Sequence, residues 1–158
     1  MLPTLDARLA AAAELVRPGE PVADIGCDHG KLTAVLAASG KYPKVIGADL
    51  RPGPLAKAEQ TLEHAGCKDR AELRLGDGLS VLTENEVGSI VLAGVSAQTT
   101  WEILEKAPWV FTVGGPRIIM IPATRHDALR RWLWEHGFSF AADRPVQGGQ
   151  GLAVARPL

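Results

Sequence analysis

The stretch VADIGCDHGKL, residues 22–32, decides how this chain is read. Val22 to Ile25 is a short run, apolar apart from Asp24, and it feeds a loop bounded by Gly26 and Gly30. KLTAVLAASG, residues 31–40, then carries helical spacing with a glycine stop. A second apolar run, KVIGAD at 44–49, ends on another acid, Asp49, 19 residues after Gly30.

The same alternation of strand and helix extends in both directions. Upstream, Leu5, Leu9, Ala12, Ala13 and Val16 share one helical face that ends at Pro18-Gly19. Downstream, residues 52–66 predict a helix opened by prolines and closed by Gly66. AELRL (71–75) is a third strand, followed by a turn at GDGL (76–79), and GSIVLAG (88–94) is a fourth. A helix follows over 97–107, starting near Ser96, and PRIIMIPA (116–123) is a fifth strand. Residues 124–137 predict a helix capped by Thr124, with Asp127 in the capping-box position and Gly137 at its end. FSFAADRPV (138–146) and GLAVARPL (151–158) are two strands joined as a hairpin by QGGQ.

Repeated strand–helix alternation implies an α/β, Rossmann-like, doubly wound and mainly parallel sheet with helices on both faces. The closing hairpin makes seven strands with a C-terminal antiparallel pair, the layout of class I methyltransferases. At 158 residues the expectation is a single domain over 1–158. A net charge of −1 excludes a general polyanion binder, so any nucleic-acid contact must be a local patch. From Arg117 to Leu158 there are six arginines against three acids, a modest patch of that kind. Cys27 and Cys67 form no zinc-ligand spacing, so no metal is expected, and two lone cysteines suit a reducing cytoplasm. No apolar run approaches the ~20 residues of a membrane span, and the N-terminal segment is amphipathic, unlike a signal peptide.

In open α/β sheets ligands sit beyond the carboxyl ends of the strands, where strand order reverses. Gly26 and Gly30 allow a sharp turn and close backbone approach. Asp49, with Leu50 beside it, stands where an acid accepts both hydroxyls of a ribose. Those features fit any adenosine-containing cofactor. A dinucleotide site needs a G-x-G-x-x-G loop on a pyrophosphate, and Asp28 in the middle of GCDHG would repel one. An acid there suits the cationic sulfonium and ammonium of S-adenosyl-L-methionine (SAM). Asp77, flanked by Gly76 and Gly78 after the third strand, is placed to accept a hydrogen bond from an adenine amino group. Each of these acids has a plain alternative as a helix or loop cap.

VADIGCDHGKL, VIGADLRPGPLAKAEQ, AELRLGDGL, IVLAG and RRWLWEHGF together resemble the bacterial TrmK family, over roughly Leu5 to Arg156. Members are SAM-dependent methyltransferases that modify N1 of adenine 22 in tRNA. The resemblance implies a cofactor loop at Asp24, Gly26, Asp28 and His29, a ribose acid at Asp49, an adenine turn at Gly76, Asp77 and Gly78, and tRNA as partner; Cys27 sits inside that loop, as a cofactor contact or as a small buried residue. Gly94 corresponds to the first glycine after the fourth strand.

The substrate side departs from the family. Its GMGG-type loop is replaced here by GVSAQ (94–98), and its Q-P-N by I-P-A (121–123). The family's helical extension after the last strand has no counterpart before Leu158. A different or small acceptor, and an inactive SAM-binding module, therefore stand beside tRNA methylation; a nicotinamide enzyme is disfavoured by the loop and the hairpin. Transfer to adenine N1 needs positioning more than a strong base. Asp28 and His29 are candidates to take a proton from the exocyclic amine, and Gly94 and Ser96 complete the catalytic candidates. Each has an ordinary structural reading as a turn or cap residue. Trp101, Trp109, Trp132 and Trp134 either pack helices or stack on a base; Arg125, Arg130 and Arg131 either form a solvated face or touch phosphates.

Overall fold

Five parallel strands, the central ones buried on both faces, are the centre of the molecule, a computed structural model that describes residues 1–112, 114–145 and 151–157. They are β1 (Val22–Ile25), β2 (Val45–Asp49), β3 (Ala71–Leu75), β4 (Ser89–Ala93) and β5 (Arg117–Ile121). Two further strands, β6 (Phe138–Pro145) and β7 (Gly151–Pro157), pair antiparallel with each other, and β7 also runs antiparallel to β5. The sheet order is β3-β2-β1-β4-β5-β7-β6. Every residue of β1 and β2 is buried, as central parallel strands with helices above and below require. The edge strand β3 is only partly covered.

Side chains alternate between two apolar layers. Ala23, Ile46, Ile90 and Ile118 face one layer with α4 (Ala97–Glu105) and α5 (His126–Glu135). Val22, Val45, Val91 and Ile119 face the other, with α1 (Ala7–Leu15), α2 (Lys31–Ser39) and α3 (Pro52–His64). No helix among the described residues is long and apolar enough to cross a membrane.

The expected elements are present, and β1 and β3 begin and end where the sequence places them. The α4 start is also as expected: Ser96 is its N-cap, and its Oγ accepts the Thr99 N–H at 3.0 Å. The expected Thr124 cap of α5 is a correction. Arg125 takes the N-cap position with φ +53, and no side chain caps the helix. The backbone turns into the left-handed region at Arg125, so the helix starts one residue too late for Thr124 to reach its first amides. The QGGQ connection at 147–150 lies outside the described residues.

The strand order reverses between β1 and β4. Their carboxyl ends splay the following loops to opposite sides and open a crevice between them.

Candidate functional site

The crevice is a cleft of about 860 Å³ above the carboxyl ends of β1 to β4. Its floor is the loop after β1, where three residues in five take left-handed backbone: Gly26 at φ +75, Asp28 at +52 and Gly30 at +77. The Gly26 and Cys27 N–H groups both donate to the Ala48 carbonyl at 2.8 Å, which ties the loop to β2. Glycine is needed at Gly30 for a second reason. A Cβ there would lie 2.8 Å from Cβ of Ala58, so the loop is clamped against α3. Asp28 is exposed to the cleft, with its Oδ1 3.8 Å from Nε2 of His29. The Cys27 side chain is buried, and burial pushes its thiol well above the usual range, so it stays protonated and unreactive.

Asp24 lines the cleft but is 4% exposed. The Thr33 hydroxyl of α2 donates to its Oδ2 at 2.8 Å. Burial pushes the Asp24 carboxyl up to about 6, the Thr33 hydrogen bond opposes that, and the charge of Asp49 adds to it. Asp49, at the end of β2, is 5% exposed. Its Oδ2 accepts the Asp28 N–H at 3.0 Å, and its Oδ1 accepts the Arg51 N–H at 3.0 Å and Arg51 Nε at 3.4 Å. Leu50 beside it is 62% exposed and presents an apolar wall.

The turn after β3 supplies Gly76, Asp77 and Gly78 to the same cleft. The Gly76 N–H donates to the Asp49 carbonyl at 3.0 Å, which joins the turn to β2. The Asp77 carboxylate is open to solvent, with Lys106 Nζ 3.8 Å from its Oδ2. Gly94 follows β4 with φ +83 and also lines the cleft.

The fold thus brings Asp24, Gly26, Cys27, Asp28, His29, Asp49, Leu50, Gly76, Asp77, Gly78 and Gly94 together in the cleft, whereas Ser96 does not line it. Its Oγ accepts the Thr99 N–H in the cap and donates to Thr99 Oγ1 at 2.9 Å. Gln98 likewise faces along its helix and donates to Glu102 at 3.0 Å. Of the tryptophans, Trp101, Trp109 and Trp132 pack on the core, while Trp134 is 69% exposed. Arg117 is engaged in the scaffold, donating to the Leu15 carbonyl at 3.0 Å.

Several lining residues were not signalled by motif. Thr4, Asp6 and Arg8 reach the cleft from the start of α1, Arg51 from the start of α3, and Thr99 and Ile103 from α4. The one local signal was Asp6 ahead of an apolar helical face, an N-cap pattern that marks a helix start and says nothing of where the helix docks.

Residues 5–152 match a family model described as a methyltransferase domain. The chain is 30% identical over 135 residues to the tRNA (adenine(22)-N(1))-methyltransferase of Bacillus subtilis (strain 168). That match covers 85% of this chain and 56% of the relative, so the chain spans little more than half the relative's length. Among solved structures, the B. subtilis M1A22 tRNA methyltransferase TrmK aligns with a TM-score of 0.85 at 27% identity, over 98% of this chain and 67% of that one. Streptococcus pneumoniae Sp1610 in complex with S-adenosyl-L-methionine aligns with a TM-score of 0.86 at 29% identity, over 99% of this chain and 73% of that one.

Proposed function

The chain belongs to the methyltransferase domain family, and from that premise we propose that it is a SAM-dependent RNA methyltransferase whose acceptor is N1 of an adenine in tRNA. Residues 1–158 act in this reading as one methyltransferase domain. Its two cysteines, both free and buried, suit a reducing cytoplasm. The observation that carries the reading is one cleft lined by five carboxylates, those of Asp6, Asp24, Asp28, Asp49 and Asp77, against three cations, Arg8, Lys31 and Arg51. Such a set attracts a cationic ligand and repels a pyrophosphate.

The residues present fit the cofactor. The Asp49 carboxylate has about four lone-pair sites. One on Oδ2 is unused, and the 3.4 Å contact from Arg51 Nε is weak enough to yield another. Asp49 would then accept both ribose hydroxyls, with Leu50 against the adenine and Asp77 accepting from its amino group. Asp28 and Asp24 would face the cationic end. When bound, SAM supplies a methyl group activated by its positive sulfur.

Adenine N1 offers a lone pair, so what the protein must do is align that atom and exclude water. Gly94, which has open space where a Cβ would lie, leaves room for the base to approach. Asp28 or His29 would take the proton that the exocyclic amine sheds after N1 is alkylated. RNA recognition draws support from the relatives' tRNA substrates and from the arginine excess after Arg117.

A second reading, methylation of a different or small acceptor, is favoured by one observation. The loop after β4 commits Ser96 to a cap and buries Ala97, leaving few polar groups to hold a base edge. Mass spectrometry of unmodified tRNA incubated with the protein and SAM tests the two. Appearance of 1-methyladenine supports the first. Cofactor binding without any methylated nucleoside would sink it in favour of the second, or of a module that binds SAM without transfer.

A further inference from the structure

A cation lies on the acid read as the ribose acceptor. Asp49 is 5% exposed, and its Oδ2 is committed to the Asp28 N–H at 3.0 Å. Its Oδ1 accepts twice from Arg51, from the backbone N–H at 3.0 Å and from the side-chain Nε at 3.4 Å. The far end of the same guanidinium, Nη2, stands 3.8 Å from Oδ1 of Asp28. One side chain in the cleft wall thus bridges the end of β2 and the loop after β1.

The two bonds from Arg51 to Asp49 differ in kind. The backbone bond belongs to the turn into α3, and it survives replacement of the side chain. The side-chain bond is long and the Arg51 side chain is 65% exposed, so it exchanges readily for another partner. Two ribose hydroxyls need two acceptor positions on Asp49, so ribose and guanidinium compete for Oδ1. A displaced guanidinium is left at the rim of the cleft. In the sheet β2 lies two strands from β4, so the end of β2 stands two strand spacings, about 10 Å, from the loop at Gly94. An RNA strand that delivers a base to Gly94 carries its neighbouring phosphates within reach of a long arginine side chain. A guanidinium fork matches a phosphate.

We infer that Arg51 is an exchangeable phosphate-binding residue: it lies on Asp49 and Asp28 before the cofactor binds, the cofactor's ribose displaces it, and it then pairs with a phosphate of the acceptor RNA. The inference rests on the reading of the chain as a SAM-dependent RNA methyltransferase. Its consequence is that cofactor and RNA strengthen each other's binding. The cofactor alone gives up the Arg51 contact, whereas with RNA present the released cation regains an anionic partner. Linkage makes that coupling equal in both directions.

The test uses the whole chain, with titration calorimetry for the cofactor side and fluorescence anisotropy of labelled, unmodified tRNA for the acceptor side. The cofactor probe is 5′-methylthioadenosine, an uncharged nucleoside with an intact ribose. Arg51→Gln is expected to bind it about twofold to fivefold more tightly than wild type, because the competing contact is gone. Saturating S-adenosylhomocysteine should tighten tRNA binding to wild type by about threefold to tenfold. Arg51→Gln should lose that enhancement, and its salt slope with S-adenosylhomocysteine present should be shallower by about 0.7–0.9, the loss of one phosphate contact. Arg51→Lys keeps the charge without the fork and should keep part of the enhancement.

Weaker binding of 5′-methylthioadenosine to Arg51→Gln overturns the inference, because Arg51 would then be holding the nucleoside. Enhancement that persists in Arg51→Gln overturns it too. Equal tRNA affinity of wild type with and without S-adenosylhomocysteine overturns the exchange while leaving the RNA reading in place. A wild-type chain that binds 5′-methylthioadenosine and no tRNA overturns the RNA reading, and the inference with it.

Discussion

The carboxylate of Asp49 accepts the backbone N–H of Asp28 at 3.0 Å, across 21 positions of sequence. This bond fastens the loop after β1 to the end of β2. It also holds a non-glycine residue at φ +52, a conformation that costs roughly 1–2 kcal/mol. The acid expected to bind ribose therefore also shapes the loop that floors the cleft.

Asp49→Ala should abolish measurable binding of S-adenosylhomocysteine. Two charge-assisted hydrogen bonds are lost, about 3 kcal/mol or more, and the loop loses its tether. Asp49→Asn retains one oxygen and should fall between. Calorimetry checks this, and wild-type affinity in the alanine variant would mean that the ribose is held elsewhere.

Asp24 makes the unliganded protein less stable as pH rises. Its folded carboxyl titrates at about 6 against 3.8 when unfolded. Between those values the native state holds the extra proton, so stability is full below about pH 4 and declines until the native group ionises near pH 6. The loss is about 3 kcal/mol at most. Asp24→Asn keeps an acceptor for Thr33 and should remove that decline, leaving the variant more stable than wild type at pH 8. Urea unfolding from pH 4 to 8 measures it. The same variant should bind S-adenosylhomocysteine more weakly, a stability gain at the cost of function.

Gly30→Ala and Gly94→Ala separate conformational strain from crowding. Both glycines have left-handed backbone, at φ +77 and +83, so each alanine pays about 1 kcal/mol or somewhat more. Only at Gly30 does the new Cβ meet backbone, with Cα of Ala58 3.0 Å away. Gly30→Ala should cost about 1–3 kcal/mol beyond Gly94→Ala. Equal unfolding midpoints for the two variants would refute the clamp between the loop and α3.

Away from the cleft, Arg74 of β3 forks onto Glu86, with Nη1 2.8 Å from Oε1 and Nη2 2.7 Å from Oε2. The Arg74 hydrogen bonds hold the Glu86 carboxyl down at about 2, against 4.5 when unfolded. The stabilisation is complete above pH 4.5 and is lost as pH falls toward 2. Glu86→Gln should cost about 2 kcal/mol at neutral pH and flatten the acid limb of the stability profile. An acid limb identical to wild type would show that the fork contributes nothing.

Much of the fold was legible because local signals agree with one another. VADI is a short run, apolar apart from Asp24, that ends at a glycine, so it reads as a buried strand and occupies Val22–Ile25. Asp49 and Asp77 were legible as cleft residues because they stand at or just after strand ends in a repeating α/β pattern, and such strand ends converge. Ser96 was legible as a helix start, and its Oγ serves that role. Thr124 failed because a capping box describes side-chain types, while the cap is decided by the backbone angle of Arg125.

The sequence by itself determined the alternating elements, the glycine loop and the acids at the strand ends, since each depends on residues within a few positions of one another. The tertiary structure decided which distant residues share the cleft. Asp6 and Arg8 belong to a helix whose own pattern says only that one face is buried. Its docking on β5 and β7, far along the chain, brings them to the cleft. The burial of Asp24 was likewise decided in three dimensions, because it depends on α2 delivering Thr33 over the sheet. Periodicity records which face of an element is buried; only the packing of the whole chain specifies against what.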